Sequence, residues 1–184
     1  MTGSPARIRR AEPRDYQRIG DLTVAAYIDG GHMSAQDGYI AHLREVADRA
    51  AAAEVWVADV DGAVAGSVTV TDWDGPWAEV SRPGEIEFRM LAVAPEFQGR
   101  GIARQLVRHV IAQAEARPEI QAVTLCSLTS MRTAHQLYRA EGFTTDPDRD
   151  FVLITEAKTA RFPFFIRAVH SGRPASELLN AEGE

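Results

Sequence analysis

The chain has 184 residues, 45% of them hydrophobic and 25% charged, and its 26 acidic and 20 basic residues leave a formal net charge of −6. These values suit one globular domain with a sizeable core and exclude a general binder of nucleic acid or anionic membrane, which needs a basic surface. A single cysteine, Cys126, excludes a disulfide framework and a cysteine-rich zinc site, and suits a reducing cytoplasm.

The opening "MTGSPARIRR" has no apolar run behind its arginines, so it does not read as a signal peptide. No apolar stretch is long enough to span a bilayer. A short strand is expected near Ala6–Arg10, then a helix that starts at Pro13 and runs from Asp15 to Ala26. Gly30 and Gly31 break it, and Ser34 with Asp37 resembles a capping box for a second helix carrying Ile40, Leu43, Val46, Ala47 and Ala50. Val55–Val60 and Ala63–Thr71 flank Asp61-Gly62, which predicts a type I′ hairpin. A loop follows, then the strand "EIEFRMLAV", ended by Pro95. A helix from about Gly101 to Ala116 places Ile102, Ala103, Leu106, Val107, Val110, Ile111 and Ala114 on one face. "AVTLCSL" predicts a buried strand. "SMRTAHQLYRAEG" predicts a helix with Met131, Ala134, Leu137 and Tyr138 inward and Gly142 as its stop. "RFPFFIRAV" predicts a last strand, with Pro163 marking an edge or a bulge. Residues 1–170 form one expected domain and residues 171–184 a polar tail. The order of elements is that of one mixed α/β sheet with helices on its faces.

The turn "EFQGRGIARQL" between a strand and a helix invites a phosphate. A P-loop would need Gly-Lys-Ser/Thr, and this turn has no lysine. A dinucleotide fingerprint counted from Gly99 would need glycine where Arg104 stands. Gln98, Gly101 and Ala103 fit a third pattern, Gln-x-x-Gly-x-Gly/Ala. There, small residues let the unpaired N–H groups of a helix start close on a diphosphate. Arg100 and Arg104 lie in the first turn and Arg108 one turn later, where a bound anion would offset their unfavourable place at the helix N-terminus.

In the preceding strand, Ile86, Phe88 and Met90 share one face with Glu85, Glu87 and Arg89 opposite, and then Leu91 and Val93 appear on the polar side. The alternation slips at Met90–Leu91. A β-bulge predicts such a slip, as does burial of both faces. A bulge would splay the neighbouring strand and open an edge for an extended, amide-bearing ligand joined to a diphosphate, which is the shape of coenzyme A.

These pieces, with "AVTLC" and "AHQLYRAEGF", resemble the GNAT superfamily of N-acetyltransferases, in an element order matching over roughly residues 6–168. The resemblance implies a mixed, mostly antiparallel central sheet with helices on both faces and a splayed central strand pair. It implies direct transfer of acetyl from acetyl-CoA to a primary amine. The cofactor contacts it implies are Leu91, Ala92, Val93, Gln98, Gly99, Arg100, Gly101, Ile102, Ala103 and Arg104. It implies Glu87 as general base, with Glu85 as its rival one strand step away. The backbone N–H of Leu91 would meet the oxyanion, and the Tyr138 phenol would give a proton to the departing sulfur. The chain departs from the family at Met131, where many relatives carry asparagine, and at Ala103 in place of the more frequent second glycine.

Other residues leave alternatives open. Cys126 is a packing residue or a nucleophile for a two-step route. His32 is a solvated loop residue or lines the acceptor site. Trp73 and Trp77, with Asp72 and Asp74, cover a cationic acceptor or pack against the sheet. "DPDRD", Asp146–Asp150, is expected as a solvated turn, and the histidines have no metal spacing. The expected acceptor is a small-molecule or protein amine. The alternatives are a non-catalytic CoA-binding module and a transferase for a longer acyl group. A homodimer through an exposed last strand is a further expectation.

Overall fold

A computed structural model describes residues 6–29, 31, 34, 38–154 and 159–170. Its elements in chain order are β1 (Arg7–Arg10), α1 (Tyr16–Asp29), α2 (Tyr39–Arg44), α3 (Val46–Ala52), β2 (Glu54–Val60), β3 (Ala63–Asp72), β4 (Glu85–Val93), α4 (Ile102–Glu115), β5 (Ala122–Cys126), α5 (Arg132–Ala140), β6 (Thr144–Thr145), β7 (Phe151–Ile154), β8 (Thr159–Phe162) and β9 (Phe164–Ala168). Seven strands form one sheet in the order β1-β2-β3-β4-β5-β9-β6, and β7 pairs with β8 in a separate ribbon. Within the sheet only β4 and β5 run parallel.

The local reasons are those of the sequence. Pro13 opens a 3-10 turn that leads into α1, and Asp15 accepts the Glu12 N–H at 2.8 Å. Asp61 (φ 52°) and Gly62 (φ 86°) both take positive φ, as a type I′ hairpin turn requires. The two sheet faces bury different sets. Ile19 and Leu22 of α1 and Val46 of α3 pack with Val55, Val57 and Val64 on one face. Leu106, Val107 and Val110 of α4, with Tyr138 of α5, pack with Val68, Ile86 and Phe88 on the other.

Four expectations are corrected. The second helix is two helices, broken at Glu45 (φ −74°, ψ 53°). The break sends Leu43 into a cluster with Val24, Trp77 and Met90, and Val46 into the cluster under α1. Pro163, which has no N–H to give a ladder, separates β8 from β9. The last strand is therefore not an edge: β9 lies between β5 and the two-residue β6. Asp146–Asp150 is not simply solvated. Arg149 binds both oxygens of Glu85 at 2.7 and 2.8 Å and lies 3.9 Å over the Phe164 ring, while Asp150 accepts the Phe164 N–H at 2.8 Å. The strands β6 and β7 also arise where none was expected. The cap expected at Ser34–Asp37 falls partly, and His32 and the tail 171–184 wholly, outside the described residues.

The sheet is opened at β4. Thr69 pairs with Arg89 and Ser67 with Ala92, so Val68 alone faces both Met90 and Leu91. This is the bulge expected from the broken alternation, and Met90 takes φ 54° to make it. The Met90 sulfur accepts from Arg49 Nη1 at 2.7 Å. Beyond Glu87↔Thr124, β4 and β5 no longer pair, although β4 continues to Val93 and β5 to Cys126.

Candidate active site

The opening between β4 and β5 leads into a cavity of about 380 Å³. Leu91 and Met90 line it from the bulge, Leu125 and Cys126 from the end of β5, and Tyr138 from α5. The strand register thus brings Leu91, Cys126 and Tyr138 around one space, although they are far apart in sequence.

Tyr138 sits in an aromatic cluster, with ring centroids 5.7 Å from Phe88 and 5.4 Å from Phe165. Burial, and then the nearby Cys126, push its phenol above the ordinary value, so it stays protonated. Its hydroxyl has no hydrogen-bond partner among the described residues and borders the cavity. The Cys126 thiol is pushed up to about 12 by burial, with Glu79 and Glu87 adding to the rise. A thiol so held is a poor nucleophile.

Glu87 is wholly buried and stands behind the cavity wall, outside its lining. Its Oε2 accepts from the backbone N–H groups of Glu79 and Val80 at 2.9 Å and of Ser81 at 3.1 Å, and from the Ser81 hydroxyl at 3.1 Å. Four donors leave that oxygen no lone pair to offer. Oε1 has no hydrogen bond and lies 3.8 Å from Arg89 Nε. Any proton taken by Glu87 goes to Oε1. The carboxylate also ties the loop before β4 to the strand, and that loop carries Glu79 into the cavity lining. Glu85, the rival, is held by Arg149 and by the Arg82 N–H and does not line the cavity.

Glu79 and Arg89 were not singled out by the sequence. Arg89 donates to the Trp77 carbonyl at 2.7 Å and the Tyr39 hydroxyl at 3.1 Å, and pairs with Glu79 at 2.5 Å. No periodicity marks Glu79, because it lies in a loop. The ribbon residues Phe151 and Phe162 also line the cavity; the β-branched and aromatic run "FVLI" was the available signal. Trp77 packs, stacked on His42 at 4.6 Å, and Trp73 is half exposed; neither lines the cavity.

At the far end of β4 the chain passes through a 3-10 turn, Pro95–Phe97, into the glycine turn. Gln98 closes that turn, and its N–H is spent on the Pro95 carbonyl at 3.2 Å. Gly99 (φ 73°) and Gly101 (φ 75°) flank Arg100, and Gly101 is the N-cap of α4. The first intrahelical bond comes from Gln105 N–H to Gly101 O, so Ile102, Ala103 and Arg104 have N–H groups without helical partners. A Cβ built on Gly99 or Gly101 would meet nothing within 4 Å, so the surface over these amides is open. Such a concave run of amides suits a diphosphate. The Ile102 side chain is buried in the core, so only its backbone faces outward. Ala92 is buried against the α1 side and Val93 packs against the α4 side.

The arginines do not all serve an anion. Arg104 and Arg108 pair with Glu141 at 2.9 and 2.8 Å, and Arg100 lies 5.1 Å over the Phe97 ring. Among the described residues Arg100 has no carboxylate partner. No group of histidine, cysteine or carboxylate side chains among the described residues has the arrangement of a metal site. No helix among them is long and apolar enough to cross a membrane.

The sequence profile of the acetyltransferase (GNAT) domain matches residues 51–145, just over half of the chain, from the end of α3 through the glycine turn to β6. The chain belongs to the GNAT acetyltransferase family. Among solved structures it is similar to yncA of Salmonella typhimurium, determined with acetyl-CoA (20% identity, 94% of this chain and 99% of that chain, TM-score 0.64). It is also similar to spermidine N-acetyltransferase from Vibrio cholerae, determined with CoA and spermine (18% identity, 90% and 96%, TM-score 0.66). A third is Arabidopsis thaliana NAA60, determined with a bisubstrate analogue (17% identity, 90% and 98%, TM-score 0.64). At these identities the likeness is one of fold. No curated protein sequence matches the chain.

Proposed function

We propose that the protein transfers acetyl from acetyl-CoA directly to a primary amine. The observation that carries this reading is the bulge at Met90–Leu91, which parts β4 from β5 and leads from the Tyr138 cavity to the open amides at Gly99–Arg104. The residues present fit acetyl-CoA: a strand edge for its amides, a helix start for its diphosphate and an apolar end for its thioester.

The acceptor must attack as a neutral amine. An alkylamine with a pKa of about 10.4 must give up about 4–5 kcal/mol to do so at pH 7. Glu87 Oε1 is the candidate to take the proton, through water because the carboxyl stands behind the cavity wall, and Glu79 lines the cavity where it can meet the charged amine. As nitrogen bonds the acyl carbon, the carbonyl electrons move to oxygen, where the Leu91 N–H would meet them. When the carbon–sulfur bond breaks, Tyr138 gives its proton to the sulfur. The raised Cys126 thiol supports the direct route over one through an acyl-cysteine.

The test is calorimetry with acetyl-CoA, followed by CoA release over a panel of amines. Tyr138→Phe is expected to retain acetyl-CoA binding and lose turnover by about 10²-fold or more. Absence of acetyl-CoA binding by the wild-type protein refutes the reading. Binding without CoA release from any amine points to the non-catalytic module. Faster release from propionyl- or butyryl-CoA assigns the cavity to a longer acyl group.

A further inference from the structure

The walls of the cavity carry information about the acceptor. We infer that the acceptor is a compact amine with one positive charge on an apolar, preferably aromatic, body, and this rests on the transferase reading above. The volume of about 380 Å³ lies at the low end for small-molecule sites, and it must also admit the acetyl end of the donor. That leaves space for a molecule of phenylethylamine size beside the donor's acetyl end.

The charges are few and placed at one end. Among the described lining residues Glu79 is the one carboxylate and Arg89 the one guanidinium. Glu87 Oε1 stands behind Arg89 at 3.8 Å and Arg49 lies against the Met90 sulfur, so the charges behind the wall balance, and Glu79, the one carboxylate among the described lining residues, is the place for one cation. At Cys126, where burial is the main cause of the raised thiol, Glu79 and Glu87 add to the rise and Arg89 opposes it. The rest of the described lining carries no charge and includes the rings of Tyr27, Tyr39, Phe151 and Phe162, with the Tyr39 hydroxyl bonded to Arg89. A second ammonium, as in a polyamine, would lose its water against those rings with no described carboxylate to meet it. An amino-acid carboxylate would need a cation, and Arg89 is already engaged by Trp77 O, Tyr39 and Glu79. One ammonium at Glu79 with an aromatic body on the rings satisfies every wall.

The experiment uses the wild-type protein at saturating acetyl-CoA and measures CoA release with 2-phenylethylamine, 3-methylbutylamine, spermidine, L-phenylalanine and a lysine peptide. The expected result is a kcat/KM for 2-phenylethylamine at least tenfold above those for spermidine, L-phenylalanine and the peptide. Glu79→Gln is expected to raise the KM for 2-phenylethylamine at least fivefold with a smaller change in kcat, and to leave acetyl-CoA affinity unchanged by calorimetry. Preference for spermidine, L-phenylalanine or the peptide overturns this inference and leaves the transferase reading standing. An unchanged KM in Glu79→Gln overturns it as well. Failure of the wild-type protein to bind acetyl-CoA removes both.

Discussion

Replacing Glu87 separates holding a loop from moving a proton. Its Oε2 accepts three backbone N–H groups and one hydroxyl, all from residues 79–81. Hydrogen bonds to a charged acceptor are worth about 1.5–3 kcal/mol each. Four of them would total about 6–12 kcal/mol, but the loop is only partly buried and water replaces much of the loss. Glu87→Ala is therefore expected to cost about 3–5 kcal/mol, the range for breaking a buried charged contact. For a chain of this size, where 1 kcal/mol shifts Tm by about 2–4 °C, that is a fall on the order of 10 °C. Glu87→Gln keeps an amide oxygen for the same N–H groups and is expected to cost only about 1–2 kcal/mol. The assay pairs urea unfolding with steady-state CoA release. If Oε1 takes the amine's proton, Glu87→Gln loses about 10²-fold in kcat while remaining folded. If Glu87 acts only through the loop, Glu87→Gln keeps kcat within tenfold and Glu87→Ala raises the acceptor KM by displacing Glu79. An unfolding midpoint for Glu87→Ala equal to wild type would refute the reasoning, because the loop would then not be held by this carboxylate.

Gly101→Ala separates stability from cofactor binding. A left-handed φ of 75° costs a non-glycine residue about 1–2 kcal/mol, and the new methyl meets no protein atom, so unfolding should shift by no more than that. Set over the amides, the methyl should weaken acetyl-CoA binding at least tenfold by calorimetry, and unchanged affinity would remove the diphosphate from this turn. Gly66→Ala places a Cβ 2.9 Å from the Ala92 carbonyl oxygen and 3.1 Å from Ile102, forcing β3 away from the bulged strand; a loss of about 1–3 kcal/mol is expected in urea unfolding. His109 and His135 are both held below the ordinary 6.5, first by burial, with Arg10 and Arg139 adding to the effect and Glu54 opposing it at His109. Below pH 6.5 the unfolded chain binds protons that the fold resists, so this stability is full above pH 6.5 and is lost as pH falls through the lower folded values. Thermal melts from pH 8 to pH 5 should show the decline, and His135→Leu should flatten it.

Much of the fold was legible because it rests on short-range rules. Positive φ at Asp61-Gly62 and at Gly101, the 3.6-residue apolar face of α4 and the slip in alternation at Met90–Leu91 are each written in a few adjacent residues. The bulge was readable because one residue too many on a strand must move side chains to the other face. The two helices around Glu45 were not, because the break serves two apolar clusters built from distant strands.

The chain's local chemistry by itself determined the glycine turn, the parted strand, the family resemblance and the placing of Tyr138 on a helix after β5. Tertiary structure alone decided which carboxylate meets the cavity. Glu87 is turned inward because the N–H groups of residues 79–81 converge on it, and Glu79 reaches the wall because that loop is tied down. Likewise Arg104 and Arg108 stand ready for an anion in the sequence, yet Glu141, more than 30 positions away, takes both. Side-chain partners at such separations depend on how the elements dock, and no local pattern encodes that.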